Sequence, residues 1–290
     1  GWVLLKQVLD PGALDLILDE ARAICERQLA TRGVCQIEQL RWQVNRMRDF
    51  MLYSPMGCYA DKLIRGKGVR ITTEALFGTQ YNEKDPSFFS YTFHLDSMQG
   101  HRGVYHAFTS KSRGVSVWFP MHDVDPDVTG GSVYVVDGYT GDKVEHHCKY
   151  AECGGQVTAS HSLQPPRFKC SAECSKYRWP AYEHTRRALK FAKGDAVFWH
   201  PEMPHATQPV RIRNFTRHSF TIRLVDSEAE VCNVGGACGD WMGCCADLPL
   251  ANGKTIQNHC FPQIYPEVLD EEVAAHYSST PKHLMGDQSW

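Results

Sequence analysis

The sequence predicts a mainly β fold with flanking helices, a jelly roll or barrel packed by an N-terminal helical part. Three observations carry this. Apolar residues recur at three-and-four spacing in the first third of the chain, then switch to period two from Phe88. Several later runs of strand length are rich in β-branched and aromatic residues and are bounded by Gly, Pro or Asp. Their alternation leaves one apolar and one polar face, which suits a barrel with a wet interior mouth. Helices come first and strands second, an α+β order rather than a βαβ one.

Each element has its own signal. Asp10 can cap a helix, Pro11 suits the first helical position, and Leu14, Ile17, Leu18, Ala21 and Ile24 make an apolar stripe. Ile37, Leu40, Val44, Met47 and Met51 repeat the pattern and predict a second amphipathic helix. In FFSYTFHLDSM (88–98), Phe89, Tyr91, Phe93 and Leu95 point one way; Ser90, Thr92, His94 and Asp96 point the other. VSVWF (115–119), SVYVV (132–136), DAVFW (195–199) and HSFTIRLV (218–225) are further strands. Around the last, Phe220, Ile222 and Leu224 alternate with Arg217, Ser219, Thr221 and Arg223. The whole chain, 1–290, reads as one domain: a helical part (1–87), a strand core (88–225) broken by a polar Cys-rich insertion (142–186), and a Cys-rich extension (226–290).

Composition narrows the partners. The chain has 290 residues, with 31 Lys and Arg against 33 Asp and Glu, so no overall basic surface invites nucleic acid. No run of 18 apolar residues is present, which argues against a membrane-spanning helix. The opening Gly1–Leu5 is too short and uncharged to be read as a signal peptide, and a trimmed targeting segment stays open. The 12 cysteines are fewer than a small disulfide scaffold carries. Most fall in the insertion and the extension. Cys148, Cys153, Cys170 and Cys174 are compatible with zinc, disulfides or free thiols, although neither pair has the usual two-residue zinc gap.

His94 and Asp96 are two apart on an expected strand, so both leave the same face. With a His from another strand, such a pair makes the two-His, one-carboxylate triad that leaves open positions on Fe(II). Chance alone supplies about one His-x-Asp pair in a chain of this composition, so the dyad needs support. Asp123, Asp125 and Asp127 do not make an EF-hand loop, because Val128 stands where its turn needs Gly. They read as a solvated acidic turn.

Support for the dyad comes from three further segments. RGVSVWFPMHDVDPDVTGGSVYVVDGYTG joins two strands through an acidic turn and a double glycine. FAKGDAVFWHPEMPHATQP has a Gly-Asp turn, a strand, and His205 eleven residues after Gly194. NFTRHSFTIRLV opens a polar-faced strand with Arg217, with Ser219 two residues on. With the opening GWVLLKQVLDPGALDLILDEA, these segments resemble the phytanoyl-CoA dioxygenase family of Fe(II)/2-oxoglutarate oxygenases. The resemblance runs from Gly1 to about Val225.

The resemblance implies a double-stranded β-helix (jelly roll, cupin-like) core with Fe(II), 2-oxoglutarate as cosubstrate, and dioxygen. Residue by residue, His94, Asp96 and His205 match the iron ligands, with His200 a competitor for the third. Arg217 matches the arginine that forks onto the distal carboxylate of 2-oxoglutarate, a task suited to guanidinium geometry. Its spacing from His205 exceeds the family's usual one by a residue, which keeps Arg213 as a competitor. Thr207 and Ser219 match hydroxyls that support the same carboxylate. Trp118 falls where an aromatic lines the cosubstrate pocket.

Further expectations follow from the same resemblance. The carboxylate of Asp96 occupies the place that related halogenases give to a small apolar residue, which implies hydroxylation, desaturation or oxidative ring closure. The insertion and tail lean towards a small-molecule natural-product or amino-acid-derived substrate, since loops on a rigid scaffold carry specificity. Tyr105, His106, Phe108, Arg102 and Arg113 are candidate wall residues. Rival readings are a fatty acyl-CoA hydroxylase and a non-catalytic metal- or ligand-binding barrel. The expected state is a monomer. Ferrous iron favours a reducing interior, while the cysteines also allow an oxidising compartment.

Overall fold

The computed structural model describes residues 1–32, 34–81, 96, 113–136, 185–201, 203–230, 255 and 261–266. Within these, two antiparallel sheets face each other and helices cover the outside of the larger one. Strand β1 (Trp2–Leu5) leads into helix α1 (Pro11–Arg32), then β2 (Val34–Glu38), a 3-10 turn (Leu40–Trp42), α2 (Asn45–Tyr53) and α3 (Met56–Ile64). Next come β3 (Val69–Gln80), β4 (Gly114–Pro120), β5 (Val133–Val136), β6 (Arg186–Ala188), β7 (Ala196–Trp199), β8 (His205–Thr207), β9 (Thr216–Asp226) and β10 (Gln263–Tyr265). The large sheet runs β1-β7-β4-β9-β3-β10 with β2 also on β3, and the small one runs β6-β5-β8. This is a jelly-roll core with a helical cover, the fold class that the period-two segments predict. No helix among the described residues is long and apolar enough to cross a membrane.

The first helix starts at Pro11 as expected, because proline has no N–H to lose in a first turn. Asp10 accepts a hydrogen bond from the Gly12 backbone N–H at 2.9 Å. The second predicted helix is different. Ile37, Leu40, Val44, Met47 and Met51 are all buried, yet they lie on β2, the 3-10 turn and the α2 region. Burial alone makes the apolar spacing look continuous across three elements. The helical part also gives way at Val69 to a long central strand, β3, whose residues are nearly all buried. A strand buried on both faces does not alternate, so its period-two signal is weak.

Two cores result. Between helices and the outer face of the large sheet pack Leu14, Ile17, Met47, Phe50, Val117, Phe119, Phe220, Ile222 and Leu224. Between the sheets pack Trp118, Val124, Val133, Val135, Leu189, Phe191, Val197, Trp199 and Met203. Glu74, wholly buried on β3, is neutralised by Arg41 of the 3-10 turn, which joins it in an ion pair. Cys25 of α1 and Cys35 of β2 form a disulfide with Cα atoms 5.1 Å apart. It lies over Gly78, where an added Cβ would come within 2.8 Å of the Cys25 sulfur. The Cys-rich insertion, apart from Thr185 and Arg186, lies outside the described residues, as does nearly all of the extension.

Candidate active site

The inner face of β9 sets out the site. Alternation sends Phe220, Ile222 and Leu224 into the helix-covered core and turns Arg217, Ser219, Thr221 and Arg223 towards the space between the sheets. Pairing then aligns side chains from neighbouring strands in rows. Trp199, Ser116, Arg223 and Thr73 form one row across β7, β4, β9 and β3; Arg217 faces Thr79 at the other end of β9.

Asp96 sits on the first row, buried. Its Oδ2 accepts hydrogen bonds from Ser116 Oγ at 2.5 Å and Trp199 Nε1 at 3.0 Å, and its Oδ1 accepts one from Arg223 at 2.5 Å. The same Oδ1 is 3.8 Å from His205 Nε2. The backbone at Asp96 is a 3-10 turn rather than extended strand. His94, the other member of the dyad, lies outside the described residues, as do Arg102, Tyr105, His106 and Phe108. Arg113 is exposed and donates to the Arg65 carbonyl at 2.8 Å, away from this row.

His205 opens β8 and is oriented from both sides. Its Nδ1 lies 2.9 Å from the Met203 carbonyl, which can only accept, so the proton is on Nδ1 and the Nε2 lone pair faces Asp96. Trp199 packs on the ring, with centroids 4.5 Å apart. Burial, opposed by the Asp96 charge, holds the imidazole below its usual pKa, so it stays neutral. A neutral imidazole with its second nitrogen anchored, facing a carboxylate, is a fitting donor set for a divalent metal. Among the described residues these two are the only members of the expected triad, and no group of three potential ligands occurs there. His200 is exposed beyond β7, whereas His205 is buried and faces Asp96.

At the other end, Arg217 is buried with its guanidinium held by hydroxyls. It donates to Ser219 Oγ and to Thr79 Oγ1, the latter at 2.6 Å. The centre of the guanidinium lies 6.0 Å from the Trp118 ring. Arg213 is exposed, so of these two competitors it is Arg217 that points its charge inward. Thr207 follows His205 on β8 opposite Val133, and the hydroxyl bonded to Arg217 on this side of the site is that of Thr79. Sequence reasoning missed Thr79, because 138 residues separate it from Arg217. It also missed Gly131, whose φ is +72° and where a Cβ would press to 3.0 Å of the Arg217 stem. The double glycine was visible; its role against Arg217 was not. The acidic turn proves structural. Asp125 accepts from the backbone N–H of Asp127 at 2.9 Å and pairs with Lys190 at 2.8 Å.

The chain thus combines a jelly-roll fold with a polar barrel face that carries an imidazole–carboxylate pair at one end and a buried arginine at the other. Among solved structures, it is similar to the non-heme alpha-ketoglutarate-dependent carbocyclase SnoK from nogalamycin biosynthesis (TM-score 0.60, 18% identity, 91% of this chain and 92% of that one). The epimerase SnoN of the same biosynthesis is also similar (TM-score 0.59, 19% identity, 91% and 94%), in a complex with Fe3+, alpha ketoglutarate and nogalamycin RO. A third is the non-heme monooxygenase ThoJ (TM-score 0.55, 13% identity, 98% and 93%). At these identities the likeness is one of fold. No protein-family profile matches the sequence, and no curated protein matches it.

Proposed function

We propose that this protein is an Fe(II)/2-oxoglutarate-dependent oxygenase of the phytanoyl-CoA dioxygenase-like type, acting on a C–H bond of a small natural-product or amino-acid-derived molecule. The observation that carries this reading is the meeting of Asp96 and His205 on one side of the barrel, with buried Arg217 on the same polar face of β9. His94, Asp96 and His205 would hold the iron. When bound, iron and 2-oxoglutarate supply the oxidation, consuming dioxygen and releasing succinate and carbon dioxide.

The chain's own residues do the rest. Arg217 presents a charged fork to the distal carboxylate, fixed by Ser219 and Thr79 so that its side chain is ordered before the ligand arrives. Trp118 walls the pocket beside that fork. Thr207, on β8 two residues after His205, is available to the same cosubstrate. The Nδ1–H of His205 stays on the Met203 carbonyl and turns Nε2 towards Asp96. The tryptophans and apolar side chains between the sheets exclude water from the reacting end. The neighbours from nogalamycin biosynthesis support a biosynthetic tailoring role over fatty acyl-CoA hydroxylation.

The test is anaerobic addition of Fe(II) and 2-oxoglutarate, followed by visible spectroscopy. Wild type develops a weak charge-transfer band, and Asp96→Ala and His205→Ala abolish it. No band in wild type, or unchanged iron affinity in both variants, sinks the reading. Succinate release across a panel of small molecules then addresses the substrate.

A further inference from the structure

We infer that Arg223 is a positioning residue that fixes Asp96 as a one-oxygen, weakened donor to the metal. This rests on the oxygenase reading and deepens it. The two carboxylate oxygens of Asp96 are used unequally. Oδ2 takes both the Ser116 hydroxyl and the Trp199 indole N–H, which together use its acceptor directions. Oδ1 takes the Arg223 guanidinium and faces His205 Nε2 at 3.8 Å. A metal shared with His205 would therefore meet Asp96 at Oδ1, the oxygen that faces the imidazole.

The position of Arg223 is built, not incidental. The ladder between β3 and β9 slips by one residue at Thr72, between the pairs Ile71–Leu224 and Thr73–Arg223. The extra residue donates its hydroxyl to the Arg223 carbonyl at 3.0 Å. Bulges of this kind re-aim side chains beside sites. Here one sits directly opposite the arginine that meets the carboxylate. Arg223 also belongs to the row that carries the other two donors, Ser116 and Trp199, so a single line of cross-strand neighbours grips one carboxylate.

The chemical consequence follows from charge. A guanidinium on the ligating oxygen draws electron density from it and places a fixed positive charge beside the metal. Asp96 would then donate less to a bound ferrous ion, and its charge transfer to the oxo acid would need more energy. Removing the charge would lower that energy.

The test uses the full-length protein loaded anaerobically with Fe(II) and 2-oxoglutarate. Arg223→Gln is expected to move the charge-transfer band to longer wavelength. Arg223→Lys keeps the charge and is expected to leave the band near its wild-type position. Arg223→Met, which removes the charge while keeping the length of the stem, provides the same shift should Arg223→Gln fail to fold. A band of unchanged energy in whichever of Arg223→Gln and Arg223→Met folds overturns this inference and leaves the oxygenase reading standing. A wild type with no band overturns both. A merely structural arginine would change thermal stability and leave the band energy where it was.

Discussion

On its outward face β9 carries Phe220, Ile222 and Leu224, shut off from water against the helical layer. On its inward face, one residue out of step, it carries Arg217, Ser219, Thr221 and Arg223. Both faces are buried, but by different means. The outward side chains gain from leaving water, at about 25 cal/mol per Å² of apolar surface. The inward ones bring polar groups, and with Arg217 and Arg223 charge, away from bulk water, where an unpartnered buried group costs free energy, a charge several kcal/mol. Ser219 and Thr79 answer for Arg217, and Asp96 answers for Arg223. The same alternation thus yields a face that stabilises the fold and a face whose stability depends on its site being complete.

Substitutions on each face should separate these roles. The largest effect is expected for Asp96→Ala, which removes a proposed ligand and leaves half-buried Arg223 without its carboxylate; metal binding, read by calorimetry with Co(II), should be lost outright. Phe220→Ala, on the other face, should cost about 3–5 kcal/mol in urea unfolding. Whatever fraction remains folded should still bind metal. If Phe220→Ala abolishes metal affinity in folded protein, the two faces are not separable.

Arg217→Ala should weaken 2-oxoglutarate by about 2–5 kcal/mol, as truncating one side of a buried charge pair does. Metal affinity should hold. Equal loss of both would mean that the two ends of β9 act as one unit. Smaller still is a pH effect on the outward face. His218 lies beside the Cys25–Cys35 disulfide, and burial pushes it down to about 4. An imidazole lowered by folding binds more protons when unfolded, so stability falls as pH drops from its ordinary range near 6.5 towards 4. The slope is at most about 1.4 kcal/mol per pH unit. His218→Asn should flatten this part of the unfolding profile; an unchanged profile would place the acid sensitivity elsewhere. The mildest change is Thr79→Val, which removes one hydroxyl from Arg217 and should weaken 2-oxoglutarate by about 1 kcal/mol without altering the unfolding midpoint much.

Legibility followed the kind of signal each residue gives. His205, Arg217 and Ser219 stand in local patterns, a strand with its turn, and it was through those patterns that the family resemblance pointed to them. The strands β4, β5, β7 and β9 were readable because their boundaries are marked by Gly, Pro or Asp and their residues alternate or bunch. β3 was not, since a central strand buried on both faces loses alternation. The segment from Ile37 to Met51 was misjudged for a related reason: burial repeats at similar intervals whether the backbone is strand, turn or helix. Arg223 was visible on the polar side of its strand, but nothing local ties it to a carboxylate 127 residues earlier.

By itself, then, the sequence determined the β core, the helical cover at α1, the polar face of β9 and three of the candidate site side chains on it and on β8. These depend on periodicity and nearest neighbours along the chain, which a linear string records. Tertiary structure decided which strands lie side by side and in what register. That pairing brought Thr79 to Arg217, set Gly131 against its stem, and drew Trp199, Ser116 and Arg223 into one row around Asp96. Register is a relation between distant segments, fixed by backbone pairing and by a bulge at Thr72, and no local pattern in either segment encodes it.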